Sequence, residues 1–382
     1  MKQAGRGCAA GIRVIMGFKV KSIAHGPKAL RAGKKEYVKP MATIKDVAKL
    51  AGVSPSTVSR VIAGSNRISL ETKNRVRKAM EQLNYVPNAI ARSLARSHTH
   101  TIGFALSRRA DQAFSNPFFS EVMRGMSTVA QARGYNILLS ISINPEDELS
   151  KCLQLVRERR VDGLILSTSR VKDPLIAALS EEGAPFVVIG RCLERPVLSV
   201  NNDNVKAGYN ATVHLLEEGY REIAYLSGET DLVVTIDRMN GYKQALLERG
   251  LPLVEERIGV ADFSEQDGYE ALCQMKERGV SFDAVVASDD LLALGALRFA
   301  ERYGLRVPED LGIVGFNDTP LMVYTHPPLT SVRILSYELG VEAMDLLIDA
   351  LENPDKKRLK KEVVLPSELI VRGSSRRREK EK

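Results

Sequence analysis

From Thr101 onward, short apolar runs alternate with longer amphipathic segments, and no other feature restricts the fold of this chain as strongly. The runs Ile102–Leu106, Ile137–Ile143, Gly163–Leu166 and Phe186–Gly190 alternate with helical patterns over Phe118–Arg133, Glu146–Arg159 and Pro174–Glu182. A second series follows: strand-like runs Ile223–Ser227, Ala284–Ser288 and Gly312–Phe316, with helical patterns Val205–Glu218, Arg238–Arg249, Gln266–Arg278 and Leu291–Tyr303. Strands that are apolar throughout are buried on both faces, and strands joined by helices run parallel, so each series predicts a parallel sheet covered by helices. Two series predict two α/β lobes. Ligands of open α/β sheets bind beyond the carboxyl ends of the strands. Seven residues are expected there: Asn116, Phe118, Phe119, Arg191, Arg238 (heading a helix after a long loop), Asp289 and Asn317. Aromatic rings stack on the C–H face of a sugar, and forked donors, amides and carboxylates take its hydroxyls. Each has a structural alternative. Phe118 and Phe119 can be helix-face core, Arg191 a solvated loop charge, Arg238 a surface cap, and Asn317 with Asp318 turn formers.

The charge distribution separates the front of the chain from this body. The first 100 residues carry 20 Lys and Arg against 4 Asp and Glu, whereas the remaining 282 carry 35 against 43. A basic front on an acidic body points to a polyanion that meets the front alone. Residues 1–40 show no strand or helix period and are expected to be a disordered extension, with Met41 as an alternative functional start.

The stretch Thr43–Leu94 has helical periodicity punctuated by Gly52, Gly64 and Pro87. Thr43 and Asp46 form a capping box ahead of Ile44, Val47, Ala48 and Ala51 on one face. Gly52 supplies a tight turn, and Ser54 caps a second helix with Pro55 at its first position. Val58, Val61 and Ile62 face inward and leave Pro55, Ser56, Ser59 and Arg60 outward. A third helix begins at Ser69, packs Val76, Ala79, Met80 and Leu83, and presents Lys73, Arg75, Arg77 and Lys78 outward. This is the helix-turn-helix pattern, and an exposed face without acids is suited to DNA. After Pro87, Asn88 caps a helix of about two turns, too short to be stable alone in water. Leu94 near its end is an apolar wedge for a base step. The candidate DNA contacts are Ser54, Pro55, Ser56, Thr57, Ser59 and Arg60, then Tyr85, and Asn88, Arg92, Leu94 and Ala95 beyond it.

DVAKLAGVSPSTVSRVI followed by RVRKAMEQLNYVPNAIARSLA closely resembles the DNA-binding head and hinge helix of the lactose-repressor (LacI/GalR) family of bacterial regulators. VNNDN at 200–204, RMNGY at 238–242, ASDDLLALG at 287–295, VGFNDTP at 314–320 and PPLTSVR at 327–333 extend the resemblance to about residue 373. FVVIGR is similar to regulators of maltose and related glucoside operons. The resemblance implies base reading by Pro55, Ser56 and Arg60, a minor-groove role for Leu94 with Ala95 beside it, and effector contacts from Arg238, Asp289 and Asn317. Asn317 stands where the family often carries an aspartate. The implied architecture is a small all-α helix-turn-helix head (41–86), a hinge helix and linker (87–99), and a two-lobed, type I periplasmic-binding-protein-like α/β body with parallel sheets (100–373). A charged tail, 374–382, follows. Lobe 1 is expected to hold about 100–200 and 333–362, and lobe 2 about 201–332 and 363–373, with crossings near 201, 332 and 362.

The expected function is ligand-responsive regulation, as a repressor, of a carbohydrate-utilisation operon. A homodimer would bind a near-palindromic double-stranded DNA operator, with a sugar between the lobes tuning its affinity. Other effectors fit the same frame: a sugar phosphate, a purine-like corepressor or a phosphocarrier protein. A sugar-binding transport receptor would have the same body but requires export, and no secretory signal is legible at Ile12–Val20. An enzyme is not expected, since there is no G-x-S-x-G motif, and the G-x-G-x-x-A match at Gly5, Gly7 and Ala10 lacks a flanking strand. His98 and His100 lack metal-ligating neighbours, so neither metal nor cofactor is expected. Cys8, Cys152, Cys192 and Cys273 lie far apart and read as reduced thiols. With no apolar run long enough to span a membrane, a cytoplasmic protein is expected.

Overall fold

The computed structural model describes residues 42–86, 98–106, 114–353 and 361–377. Contacts divide the chain into two compact units, with the division after Pro87. The first contains α1 (Ile44–Ala51), α2 (Pro55–Ile62) and α3 (Leu70–Gln82). Thr43 Oγ1 accepts from the Asp46 N–H at 3.4 Å while the Asp46 carboxylate accepts from the Thr43 N–H at 2.8 Å, closing the capping box. Gly52, at φ 63° and ψ 40°, ends α1 in the left-handed region that a residue with a Cβ adopts at a cost. Ser54 and Ser69 cap α2 and α3. Val47, Ala48, Ala51, Val58, Val61, Val76 and Ala79 form the small core that these faces enclose.

The second unit contains two six-stranded sheets. The strands are β1 (Thr101–Leu106), β2 (Asn136–Ile141), β3 (Gly163–Leu166), β4 (Phe186–Ile189), β5 (Ser199–Asn202), β6 (Ile223–Ser227), β7 (Ile258–Val260), β8 (Ala284–Ala287), β9 (Gly312–Asn317), β10 (Thr330–Ile334), β11 (Glu362–Leu365) and β12 (Ser367–Ile370). Sheet 1 has the order β11-β5-β4-β3-β1-β2 and is parallel throughout. Sheet 2 has the order β12-β10-β9-β8-β6-β7 and is parallel except for the edge strand β12. The helices are α4 (Pro117–Arg133), α5 (Pro145–Arg157), α6 (Pro174–Glu181), α7 (Asn204–Glu217), α8 (Val233–Glu248), α9 (Glu265–Glu277), α10 (Asp290–Arg302) and α11 (Ser336–Glu352).

The alternation read from the sequence is present, and further elements join it. β7, β11 and β12 are edge strands of three or four residues with exposed positions, too short to carry a legible pattern. β5 reads SVNN, and the sheet buries its two asparagines. Helix α11 was legible but not among the expected elements: Leu339, Ala343, Met344, Leu347 and Ile348 fall at helical spacing and are all buried. The helix expected to begin at Arg238 begins instead at Val233, which places Arg238 inside α8. Its early start follows from tertiary pairing. The Val233 N–H donates to the Ser169 carbonyl at 3.1 Å, and Leu232 forms a β-bridge with Arg170.

The chain passes between the sheets three times: between β5 and α7, between β10 and α11, and between β11 and β12. Asn202 Nδ2 ties the first passage to the third, donating to the carbonyls of Leu365 at 3.2 Å and Pro366 at 3.4 Å. One apolar core runs through both lobes at these passages, from Phe104, Ile165 and Met344 to Tyr225, Val314 and Phe316. The outer face of each sheet has its own cluster. Where the segment before β1 enters, the Asp162 carboxylate accepts from the N–H groups of Thr99 at 2.6 Å and His100 at 2.7 Å.

Candidate functional sites

Helix α2 carries the candidate contacts of the head. Ser54, Pro55, Ser56, Ser59 and Arg60 are exposed, while Thr57 is half-buried. Ser54 Oγ accepts from the Thr57 N–H at 3.2 Å and lies 2.8 Å from Ser56 Oγ and 2.9 Å from Thr57 Oγ1. A hydroxyl cluster therefore rims the amino end of α2, with Arg60 in its last turn. Tyr85 packs partly against the head core. Asn88, Arg92, Leu94 and Ala95 lie outside the described residues.

A cleft lies between the lobes, lined by apolar and aromatic side chains with convergent polar groups. It gathers Asn116, Phe118, Phe119, Arg238, Asp289 and Asn317 from the carboxyl ends of β1, β8 and β9 and from α4 and α8. Asn116 caps α4, its Oδ1 accepting from the Phe118 N–H at 3.0 Å, and its Nδ2 donates across the cleft to Asp289 Oδ2 at 3.0 Å. Asn317 Nδ2 donates to the same oxygen at 2.8 Å. The other Asp289 oxygen caps α10 by accepting from the Leu291 N–H at 2.8 Å. One carboxylate thus joins an amide from each lobe. The rings of Phe118 and Phe119 meet edge to face at 5.3 Å and form an aromatic wall.

Arg238 is buried, with Nε on Asn204 Oδ1 at 2.9 Å, Nη1 on the Ser288 carbonyl at 2.6 Å, and its guanidinium 4.5 Å from the centre of the Phe316 ring. Burial lowers its pKa from the ordinary arginine value, though a guanidinium stays charged in a protein.

The structure does not bring Arg191 into this cleft. Gly190, at φ 119°, turns the chain after β4, and Arg191 Nε and Nη2 instead grip Asp237 on α8 at 2.7 and 2.5 Å. Asp237 is 3% exposed and Arg191 38%. A buried carboxylate on the facing lobe outcompetes a ligand site for this fork. The Asp237 hydrogen bonds hold the guanidinium pKa above its ordinary value. A second link between the lobes lies nearby, where Arg170 pairs with Glu229 at 3.0 Å and with Asp231. Sequence reasoning also missed Asn201, Asn202 and Asn204 as lining residues, along with Ser167–Ser169 and Phe263. The polar run VNNDN held the signal for the asparagines, because consecutive amides at the end of a buried strand need partners.

Residues 43–88 match the model of bacterial regulatory proteins of the lacI family, and residues 99–369 match that of periplasmic binding proteins and the sugar binding domain of the LacI family. The chain belongs to the LacI family. The HTH-type transcriptional regulator MalR of Streptococcus pneumoniae serotype 4 is 39% identical over 322 residues, which span 83% of this chain and 95% of that protein. Among solved structures, a complex of the transcriptional regulator CelR with cellobiose is 34% identical with a TM-score of 0.68, covering 87% of this chain and 99% of that one. A lac repressor dimer bound to operator and the anti-inducer ONPF is 27% identical with a TM-score of 0.76, at the same coverages. As a LacI-family member, the protein is a DNA-binding transcriptional regulator with a ligand-binding body, and the relatives named here are regulators too. Among the described residues, no helix is long and apolar enough to cross a membrane, and no group of three or more metal-ligating side chains is found.

Proposed function

We propose that the protein is a cytoplasmic, homodimeric repressor of carbohydrate-utilisation genes whose effector is a sugar held between the lobes. The observation that carries this is the chemistry of the cleft. Phe118 and Phe119 offer an aromatic wall beside the Asn116–Asp289–Asn317 chain and the Arg238 guanidinium. Aromatic faces with amide, carboxylate and guanidinium groups suit a ring with C–H faces and hydroxyl edges. The CelR–cellobiose complex and the match to the sugar binding domain of the LacI family support the same ligand class. In each protomer, the exposed face of α2 enters the major groove, with Ser56 and Arg60 on base edges. The sugar exchanges hydrogen bonds with groups that link the lobes, changes how far they close, and so alters DNA affinity to the extent that it prefers one state.

The test is thermal unfolding of the full chain with maltose, cellobiose, glucose 6-phosphate and hypoxanthine. It is paired with titration of a duplex selected from a random pool, with and without each compound. A ligand that binds only the folded state raises the melting temperature. A neutral sugar is expected both to raise it and to change duplex affinity. Stabilisation by hypoxanthine alone, or by no sugar, would overturn the assignment.

A further inference from the structure

Asn317, which lines the cleft, and Asp318 after it hold a backbone conformation that side chains rarely adopt: φ is 103° at Asn317 and 50° at Asp318. Such a turn costs free energy and persists only where its surroundings impose it. The cleft depends on it, because this turn carries the Asn317 amide that donates to Asp289 at 2.8 Å. Immediately behind it lies a carboxyl group that does not line the cleft. Asp290, the first residue of α10, is 1% exposed. Its Oδ2 accepts from the Thr319 N–H at 2.8 Å and from Thr319 Oγ1 at 3.1 Å, and its Oδ1 accepts from Ser331 Oγ on β10 at 2.6 Å. Ser331 Oγ in turn accepts from the Asp318 N–H at 3.0 Å. Asp290 and Ser331 together collect the N–H groups that follow Asn317. Gly315 makes room for the carboxyl, since a Cβ there would lie 2.5 Å from Asp290 Oδ1.

We propose that Asp290 is the positioning residue of the effector cleft: through Thr319 and Ser331 it pins the left-handed Asn317–Asp318 turn to β10 and so keeps the Asn317 amide on Asp289. The role presupposes that Asn317 faces the effector, as proposed above. Burial pushes the Asp290 carboxyl up to about 7, the Ser331 and Thr319 hydrogen bonds opposing the shift and the neighbouring Asp289 charge adding to it. The pin survives either protonation state. A protonated oxygen donates to Ser331 Oγ, which can accept as well as donate, while the other oxygen still accepts from Thr319. Asp290→Asn imitates that protonated form, with the amide NH2 toward Ser331. Asp290→Ala removes every acceptor.

Amide hydrogen exchange of the full chain, read by mass spectrometry on peptides covering 316–324, tests the pin without any ligand. Asp290→Ala is expected to speed exchange at Asp318 and Thr319 about tenfold beyond any change elsewhere in the lobe, the loss of roughly one hydrogen bond's protection. Asp290→Asn is expected to stay near wild type. Leu272→Ala, which opens a cavity in the lobe 2 core, is the control for general loosening. If Asp290→Ala fails to fold, Ser331→Ala replaces it and is expected to deprotect Asp318 selectively. The proposal is overturned if the alanine variants loosen 318–319 no more than Leu272→Ala does, or if the Asn variant is as disruptive as Ala. Calorimetry with cellobiose and maltose separates the two layers. No binding by the wild type sinks the sugar assignment and leaves the exchange result to decide the pin. Binding that is lost in Asp290→Ala and kept in Asp290→Asn supports both.

Discussion

The exposed face of α2 and the lining of the cleft present similar chemistry, hydroxyls, amides and an arginine, in opposite states. On α2, the hydroxyls of Ser54, Ser56 and Thr57 bond, among the described residues, to one another and to the adjacent backbone, and Arg60 is exposed. In the cleft, the Asn116, Asn317, Asp289 and Arg238 side chains are already joined to protein groups, some on the facing lobe. A partner of α2 replaces water and counterions, so its contacts add to the protein's own bonds. A ligand of the cleft must exchange with existing bonds. The Asn116–Asp289 bond is one that crosses from lobe to lobe, so an arriving hydroxyl that takes it over acts directly on closure. On the proposed function, the α2 face recognises DNA and the cleft switches, and the difference between the two faces suits that division.

Substitutions can break this comparison. The largest effect is expected at Arg238→Ala, which strands Asn204 Oδ1 and the Ser288 carbonyl in a buried site and costs about 1–3 kcal/mol for each group left unpaired. Calorimetric unfolding and sugar-induced thermal shifts should show a less stable body with no ligand response, while duplex binding persists. A retained response would place Arg238 outside the switch. Next, Arg60→Ala is expected to weaken binding to the selected duplex by about 1–3 kcal/mol and to relax one base position. Binding selections repeated on the variant would expose an unchanged preference, and that outcome would reduce Arg60 to a phosphate contact. The smallest effect is expected at Arg191→Ala. Arg191→Ala takes the fork from a carboxylate that is 3% exposed, but Arg191 is itself 38% exposed, so water reaches the vacated side and holds the loss to about 1 kcal/mol. Small-angle scattering should report more open lobes, with little change in intrinsic sugar contacts. A tenfold or greater loss of sugar affinity without opening would return Arg191 to the ligand site.

The sequence disclosed these regions unequally, for a physical reason. The head is built from local rules: the Thr43–Asp46 box, the Gly52 turn, and Pro55 after the Ser54 cap all act within a few residues. Periodicity likewise revealed most of the central strands, and residue type at and beyond their ends picked out six of the residues that line the cleft. Partner choice was not legible. Arg191 pairs with Asp237 and Arg238 with Asn204, contacts made only once two sheets face each other. The start of α8 at Val233 was hidden for the same cause, because a β-bridge to the other lobe sets it. Edge strands such as β7 were too short to carry a pattern.

The last two strands have a consequence for how the molecule is made. β11 closes the edge of sheet 1 on β5, and β12 closes the edge of sheet 2 on β10, so both lobes wait for the same C-terminal stretch. Synthesis from the N-terminus completes the DNA-reading head first and the sensor last, when both sheets gain their final strand together. A chain terminated before residue 361 therefore joins a finished head to two open sheets, each offering unpaired backbone along β5 or β10 for aggregation. A stop codon just before residue 361 thus opens both sheets of the sensor at once, although every earlier strand and helix is still made.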